Sequence, residues 1–398
     1  MQKHSSAAPA SATAFSLSEG GRLHDLLARA GFPGDARGRR LRYAALLAIA
    51  WLPLVVLAMA GGTAWGGVPY PLLIDPGPWV RFFVVAPLLI FAEPFADRVL
   101  GSVLDQLRIT GIVPDQERPA FEALVARARR IATSDTVDLI LVVVALTLPH
   151  LLAVSATHIL AGHGTWFFQP GADGQLKSAS GRWYEWISLP LIEFLLLRWA
   201  WRSLAWWRLL WGISRLRLDI LPSHPDRAGG LSFLAFAPMA FLPVFTGVSA
   251  LASHSVAVRV RFGGLHLVDV RGRILGFVLL DLIVLLVPQF FFSPAQGKAR
   301  LKALRGLSST GAGAARAFER RWAGDAPDRT GDLLESEHPG AMADYASTYE
   351  LVRAMRPAGF SAGELIRIVL PLVAPFLPLL LFQYSPAELV RAVVEMVR

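Results

Sequence analysis

The stretch "LPSHPDRAGGLSFL", residues 221–234, holds the densest set of chemically able side chains in the sequence. His224 and Asp226 stand two positions apart, so a carboxylate is at hand to orient an imidazole for acid/base work, and Arg227 adds a permanent cation for an anionic group. Gly229 and Gly230 allow a ligand or another helix to approach the backbone closely. The same residues also have a plainer use. Pro222 and Pro225 stop a helix, and Asp226 can cap the first amides of the next one. A helix N-terminus flanked by His224 and Arg227 is in turn an anion site.

A second set of candidates lies inside apolar segments, where ionisable side chains are costly and therefore functional or paired. Glu93 and Asp97 share one helical face at a spacing of four, and so do Arg198 and Arg202. At matched depth they predict an interhelical ion-pair ladder, serving as a lock between helices or as part of a solute or proton path. Glu193 lies among Leu191, Ile192 and Phe194, where a carboxylate is protonated, partnered or facing a wet cavity. Asp281 raises the same question, and Asp138 is expected at head-group level or as a cap. His150, His158 and His163 do not share a helical face, and His254 and His266 belong to another segment. No metal site is predicted from them, since such sites need several convergent ligands. The sequence carries no G-x-S-x-G, H-E-x-x-H or P-loop motif and implies no cofactor.

These residues must be positioned by membrane helices. The 398 residues are 54% hydrophobic and only 17% charged, with mean hydropathy +0.46, against about 25% charged in soluble domains. Seven apolar segments approach the ~20 residues that cross a bilayer core: 43–60, 79–96, 137–159, 184–206, 231–251, 276–292 and 366–384. The expected fold is all-α, a polytopic bundle of about seven transmembrane helices. Pro238 and Pro243 in the fifth span, and Pro371, Pro375 and Pro378 in the seventh, are expected to kink or break helices, as in transporters whose broken spans line a cavity.

Arg37, Arg39, Arg40 and Arg42 precede the first span, and Lys and Arg recur in the second, fourth and sixth loops, which places the N-terminus in the cytoplasm. Arg259, Arg261, Arg271 and Arg273 run against that pattern on the outer side. There "VAVRVRFGGLHLVDVRGRI" alternates around Gly263-Gly264, which predicts a small extracytoplasmic β-hairpin over 253–274. The organisation expected is a disordered basic cytoplasmic N-terminus (1–40), spans one to six (41–292) with a cytoplasmic loop at 97–136, a cytoplasmic helical segment (293–365), and the last span with the C-terminus (366–398). Within the loops, Asp115 is expected to cap a helix, and 295–322 with 341–355 form a helical pair.

The absence of cysteine removes disulfides, thiolate metal sites and cysteine nucleophiles. The formal charge of +9 is almost entirely Arg, placed beside apolar segments. It points to anionic lipid head groups as partners and not to nucleic acid. Trp199, Trp201, Trp206, Trp207 and Trp211, mixed with Arg, read as an interfacial belt.

The run "LLLRWAWRSLAWWRLLWGISRLRLDILPSHPDRAGGLSFL", with "FAEPFADRVL", "GIVPDQERPAFE" and "YELVRAMRP", resembles an uncharacterised family of bacterial inner-membrane proteins that carry an Arg/Trp-rich helix followed by His-Pro-Asp-x-Ala-Gly-Gly-Leu. The resemblance covers most of the chain and implies a bacterial multi-span protein without an assigned substrate. The function expected first is a transporter or channel for a small ion or solute. The alternatives are an enzyme acting on a lipid-borne or phosphorylated substrate at the cytoplasmic surface, with His224 as acid/base, and a non-catalytic assembly or sensory protein. In that last case the cytoplasmic helices contact a second copy or a protein partner.

Overall fold

The computed structural model describes residues 15–18, 20–152, 163–171, 174–322, 338–356, 360, 362–384, 388 and 391. In chain order the elements are α1 (Arg22–Arg29), α2 (Ala36–Ala60), α3 (Pro76–Ile109), α4 (Arg118–Ala132), α5 (Asp135–Leu152), strands β1 (Phe168–Gly171) and β2 (Gly174–Lys177), and α6 (residues 179–213). They continue with α7 (Ser232–Phe262), α8 (Leu267–Leu286), α9 (Ser293–Trp322), α10 (His338–Arg353) and α11 (Gly363–Phe382). Among the described residues six helices are long and apolar enough to cross a membrane, from α2, α3, α5, α7, α8 and α11. The expected fourth span, α6, is equally long, but Glu185, Glu193, Arg198, Arg202 and Arg208 interrupt its apolar run.

Proline shapes these helices by a consistent rule. Pro53, Pro87 and Pro190 each follow a π-helical turn, at Leu47–Trp51, Val80–Val85 and Tyr184–Ser188. Proline lacks an N–H and its ring pushes away the carbonyl four residues back, so the preceding turn widens. Carbonyls in the widened turns need other donors, because lipid supplies none. Trp183 Nε1 donates to Ile49 O at 3.2 Å, Ser188 Oγ to Ala50 O at 2.7 Å and Tyr43 Oη to Phe82 O at 3.0 Å. Pro238 of α7, Pro288 just after α8, and Pro375 and Pro378 of α11 instead fall in 3₁₀ segments, Ser232–Phe241, Val287–Phe292 and Ala374–Phe382, while Pro243 and Pro371 lie in α-helical turns.

α3, α6 and α7 form the centre, with α4 and α5 packed on α6, and α8 and α11 on α7. Trp206, Phe82, Phe121 and Phe292 are buried in one continuous core. Outward faces carry Leu139, Val143 and Leu146 on α5 and Leu275, Leu279 and Ile283 on α8, apolar stripes at helical spacing that suit lipid contact. Trp199 and Trp206, expected in an interfacial belt, belong to the core. Trp201 donates to Ile131 O of α4 at 2.8 Å, and Trp211 is exposed. Asp115 opens a short 3₁₀ turn and faces Arg118 at 3.5 Å; it does not cap α4. The helical pair at the far end forms as expected: α9 and α10 run antiparallel, with Arg300 Nη2 donating to Arg353 O at 2.7 Å and Tyr345 Oη donating to Leu307 O.

The hairpin expected over 253–274 is not present. α7 continues to Phe262, Gly263 and Gly264 turn the chain, and α8 starts at Leu267 behind a His266/Asp269 capping box. No proline or glycine lies between Gly247 and Gly263, so the helix begun in the apolar run carries through the alternating Val and Arg residues, with Val258 turned to the core. Arg259 and Arg261 then sit in the last turn, where the helix dipole favours cations. A two-stranded hairpin lies elsewhere, β1 pairing antiparallel with β2 between α5 and α6.

The N-terminal segment also departs from expectation. Within the 1–40 region read as disordered, α1 and the start of α2 are helical and Phe15 and Leu17 are buried. Asp97 explains this: its oxygens accept from Ser16 Oγ at 2.6 Å, Leu17 N at 2.9 Å and Ser18 Oγ. Asp97→Ala removes all three bonds, each charge-assisted and so worth about 1.5–3 kcal/mol. Limited trypsin digestion should then cut at Arg22 at least about tenfold faster, with the thermal midpoint of the bundle little changed.

Candidate functional site

The intramembrane charges converge at one end of α3 and α6. Arg202 Nη1 donates to Glu93 Oε1 at 3.1 Å, Arg42 Nη2 of α2 lies 3.1 Å from Glu93 Oε2, and Arg198 Nε lies 3.3 Å from Asp138 Oδ1 of α5. The expected ladder is therefore half present and shifted. Trp199 Nε1 donates to Leu89 O at 2.9 Å, so Leu89 with Trp199 and Glu93 with Arg202 advance together and the two helices run in the same direction. In that register Arg202, the lower cation, meets Glu93, the upper anion. Asp97 falls one turn past Arg202, about 6 Å along the axis, and is taken by the N-terminal segment. Arg198 rises one turn above Glu93 and meets Asp138, which is buried in this ion pair in the first turn of α5.

Arg42 and Asp138 are site residues that the sequence reading placed elsewhere. Arg42 stands in a basic run that signals orientation, and the partner of Asp138 is visible only once α5 packs on α6. Three guanidinium groups (Arg42, Arg198, Arg202) thus face two carboxylates (Glu93, Asp138). The cations are not all satisfied. Arg202 is 2% exposed, yet its Nε and Nη2, and Nε of Arg42, have no hydrogen-bond partner. Its guanidinium carbon lies 5.1 Å from the Trp199 ring centroid, which supplies a cation–π contact and no acceptor. A cavity of about 310 Å³ opens beside these groups, walled by Arg42, Glu93, Arg198 and Arg202 at one end and by Leu27, Phe32 and Leu195 elsewhere.

Glu193 and Asp281 lie apart from this cluster. Glu193 Oε2 is buried without a hydrogen-bond partner, and Asp281 accepts from Ser249 Oγ at 3.3 Å across α7 and α8. At the opposite end of the bundle the sequence reading missed a buried polar group. Asp75, the N-cap of α3, accepts from Trp166 Nε1 at 2.9 Å and Gly77 N at 2.8 Å. Burial raises its pKa against the lowering effect of those bonds. His254 is packed against Gly77, where an added Cβ would come 2.6 Å from His254 Nε2. The Asp-Pro-Gly-Pro run was the available signal for this cap. Among the described residues no group of three His, Asp or Glu is arranged to hold a metal ion. His158 lies outside the described residues.

The HPDRAGG stretch is a corner, built by its carboxylate and its carbonyls. Asp226 Oδ1 accepts from Ala228 N at 2.8 Å and Gly230 N at 3.1 Å, Oδ2 accepts from Ser232 N at 3.0 Å, and His224 Nδ1 lies 2.9 Å from Oδ1. Burial alone would raise the Asp226 pKa, but the three amides and the His224 side chain hold it below the usual carboxylate range. Arg227, Gly229 and Gly230 adopt φ of 57°, 73° and 89°. A Cβ on Gly229 would lie 2.5 Å from Ile220 Cγ2 and 2.7 Å from Met355 Cε, so only glycine fits. Arg227 O accepts from Arg356 N at 2.7 Å and Ala228 O from Gln296 Nε2 at 2.8 Å. Asp226 is thus engaged by amides, and the His224 and Arg227 side chains are exposed. No protein-family profile, curated protein or solved structure matches the chain.

Two predictions follow from these geometries. Asp226→Asn should cost about 2 kcal/mol at neutral pH, whereas His224→Ala, at an exposed ring, should cost less than about 0.5 kcal/mol. The folded pKa of Asp226 lies below its unfolded value near 3.9, so its contribution is complete above that value and is lost as pH falls through the folded one. Thermal unfolding of wild type and Asp226→Asn should therefore converge as the buffer is taken from about pH 5 to about pH 3. In the ion cluster, Glu93→Gln leaves three guanidinium groups facing one carboxylate and should cost about 3–5 kcal/mol. Arg42→Gln keeps Glu93 paired with Arg202 and should cost clearly less in the same melting assay.

Proposed function

We propose that the chain is a seven-span protein of a bacterial inner membrane, N-terminus in the cytoplasm, that carries an anion by way of the Arg42–Arg198–Arg202 cavity. The seventh span in this reading is α6. Its Arg198 and Arg202 turn into the bundle, so the charges that break its apolar run need not face lipid. The orientation rests on the Lys and Arg bias of the loops, and anionic head groups meet the exposed juxtamembrane Arg residues.

One observation carries the transport reading. The ion cluster beside the cavity has one more cation than anion, and its most deeply buried cation, Arg202, has donors with no acceptor among the described residues. A buried guanidinium with unfilled donors is unstable until an anion completes it, which makes the cavity selective by charge. Glu193, one and a half turns before Arg198 on the same helix, is the group that would exchange a proton with the translocated anion. The expectation of a small ion or solute is thereby narrowed to an anion. The enzyme reading is the less favoured one, because Asp226, the group that would orient His224, is engaged by three backbone amides.

Reconstitution tests this. Proteoliposomes should move at least one of phosphate, sulfate, a C4 dicarboxylate or a short-chain fluorescent phosphatidic acid, the last read by dithionite quenching. Arg202→Gln should slow that flux at least about tenfold, the loss expected for one buried charge-assisted contact. Glu193→Gln should remove its response to an imposed pH gradient. Absence of flux for every anion in the panel, with or without the gradient, would overturn the proposal.

A further inference from the structure

We infer that the anion is the head of an amphiphile: a phosphate-type group held by Arg42, Arg198 and Arg202, with an alkyl chain in the apolar crevice between α1, α2, α5 and α6. This rests on the anion reading above and adds the substrate class.

The argument starts from a second cavity. It has a volume of about 660 Å³ and is walled by Leu26, Leu139, Val142, Trp186 and Pro190, among others. Leu23, Ile49, Leu191 and Phe194 line both this cavity and the one at the arginines. Asp138 lies at the same junction, lining the large cavity while pairing with Arg198 of the small one. The two spaces are therefore neighbours across a wall of four apolar side chains, charged at one end and hydrocarbon at the other. A small hydrated anion would gain nothing from that apolar extension. A chain-bearing phosphate would gain about fourfold in affinity for each methylene it buries.

The cover over this junction is itself amphipathic. α1 has no buried residue, turns Leu23 toward both cavities, and is held at its first residue, where Arg22 N donates to Asp135 Oδ1 at 2.6 Å. A short helix tethered at one end and resting on apolar walls suits a site that is filled from the bilayer plane. The same head chemistry is offered by a phosphatidic-acid-type lipid of the bilayer and by a free alkyl phosphate.

The test uses the full chain in phosphatidylcholine nanodiscs, with thermal unfolding as the readout. Dodecyl phosphate should raise the midpoint at concentrations at least about 100-fold below those at which inorganic phosphate does. Dodecyl maltoside, with the same chain and no charge, should leave it unchanged. Arg202→Gln should abolish the dodecyl phosphate response. Ile49→Trp is the second variant: Ile49 is 52% exposed where the two cavities meet, so the change displaces no buried core residue. It should crowd the junction, weakening the dodecyl phosphate response while sparing that to inorganic phosphate. Doping the nanodisc with phosphatidic acid separates the sources, since a rise without added alkyl phosphate assigns the bilayer lipid and no rise assigns the free species. Equal potency of inorganic and dodecyl phosphate would overturn the amphiphile and leave the anion site standing. Equal effects of dodecyl phosphate and dodecyl maltoside, or responses unchanged by Arg202→Gln, would overturn both.

Discussion

A single carboxylate sets the height of the helices around the cavity. Glu93 is shared by Arg42 of α2 and Arg202 of α6, so three helices must meet at one level. Charges taken out of water repay their desolvation only when the geometry of pairing is good, and a slip of one turn would leave at least one of them unpaired. The observed slip relative to a simple ladder shows that rule at work. Once Arg202 takes Glu93, Asp97 and Arg198 cannot pair with each other. Each recruits a new element, the N-terminal segment in one case and α5 in the other. The position of α1 over the cavities follows from both, because residues 16–18 are held by Asp97 and Arg22 by Asp135.

Rotation about the helix axes is fixed by a second constraint, the demand that every carbonyl in an apolar environment find a donor. The π turn at Leu47–Trp51 presents Ile49 O and Ala50 O sideways, and Trp183 and Ser188 of α6 donate to them. The backbone of Ile49 is thus bonded to α6 while its side chain faces the cavities. The proline at position 53 is the sequence-level cause. Its missing N–H and displaced carbonyl become an interhelical contact, and that contact aims an apolar side chain at the crevice.

What the sequence made legible were the features that depend on one helix at a time. Apolar segments of membrane length, helical spacing of Glu93 with Asp97 and Arg198 with Arg202, and the capping chemistry of Asp226 can be seen without knowing any neighbour. Pairing register cannot, because it depends on which residues of α3 and α6 lie at the same height. Arg42 and Asp138 went unassigned for that reason. The region 253–274 misled for a different one. Alternating Val and Arg over seven residues fits a strand, but the same residues continue an α-helix that has met no breaker, and a period read over so few positions does not decide between them.

The contrast between the HPDRAGG corner and the arginine cavity shows why unusual composition is a poor guide to chemistry. Successive residues in the left-handed region require glycine at most positions and strain at Arg227, so a sharp corner is compositionally odd whatever it does. Here the oddity buys a junction. The loop after α3 (Ile112), the end of the α6 connection (Ile220), α9 (Gln296) and the residues ending α10 (Met355, Arg356) all touch residues 227–230. Among the described residues no buried side-chain polar atom of that junction lacks a hydrogen-bond partner. The cavity is the reverse case: Arg, Glu and Asp residues at ordinary helical spacing leave a buried guanidinium with donors unfilled among the described residues. Between a strained but satisfied corner and an unstrained but unsatisfied cation, the second is the one that requires something from outside the chain.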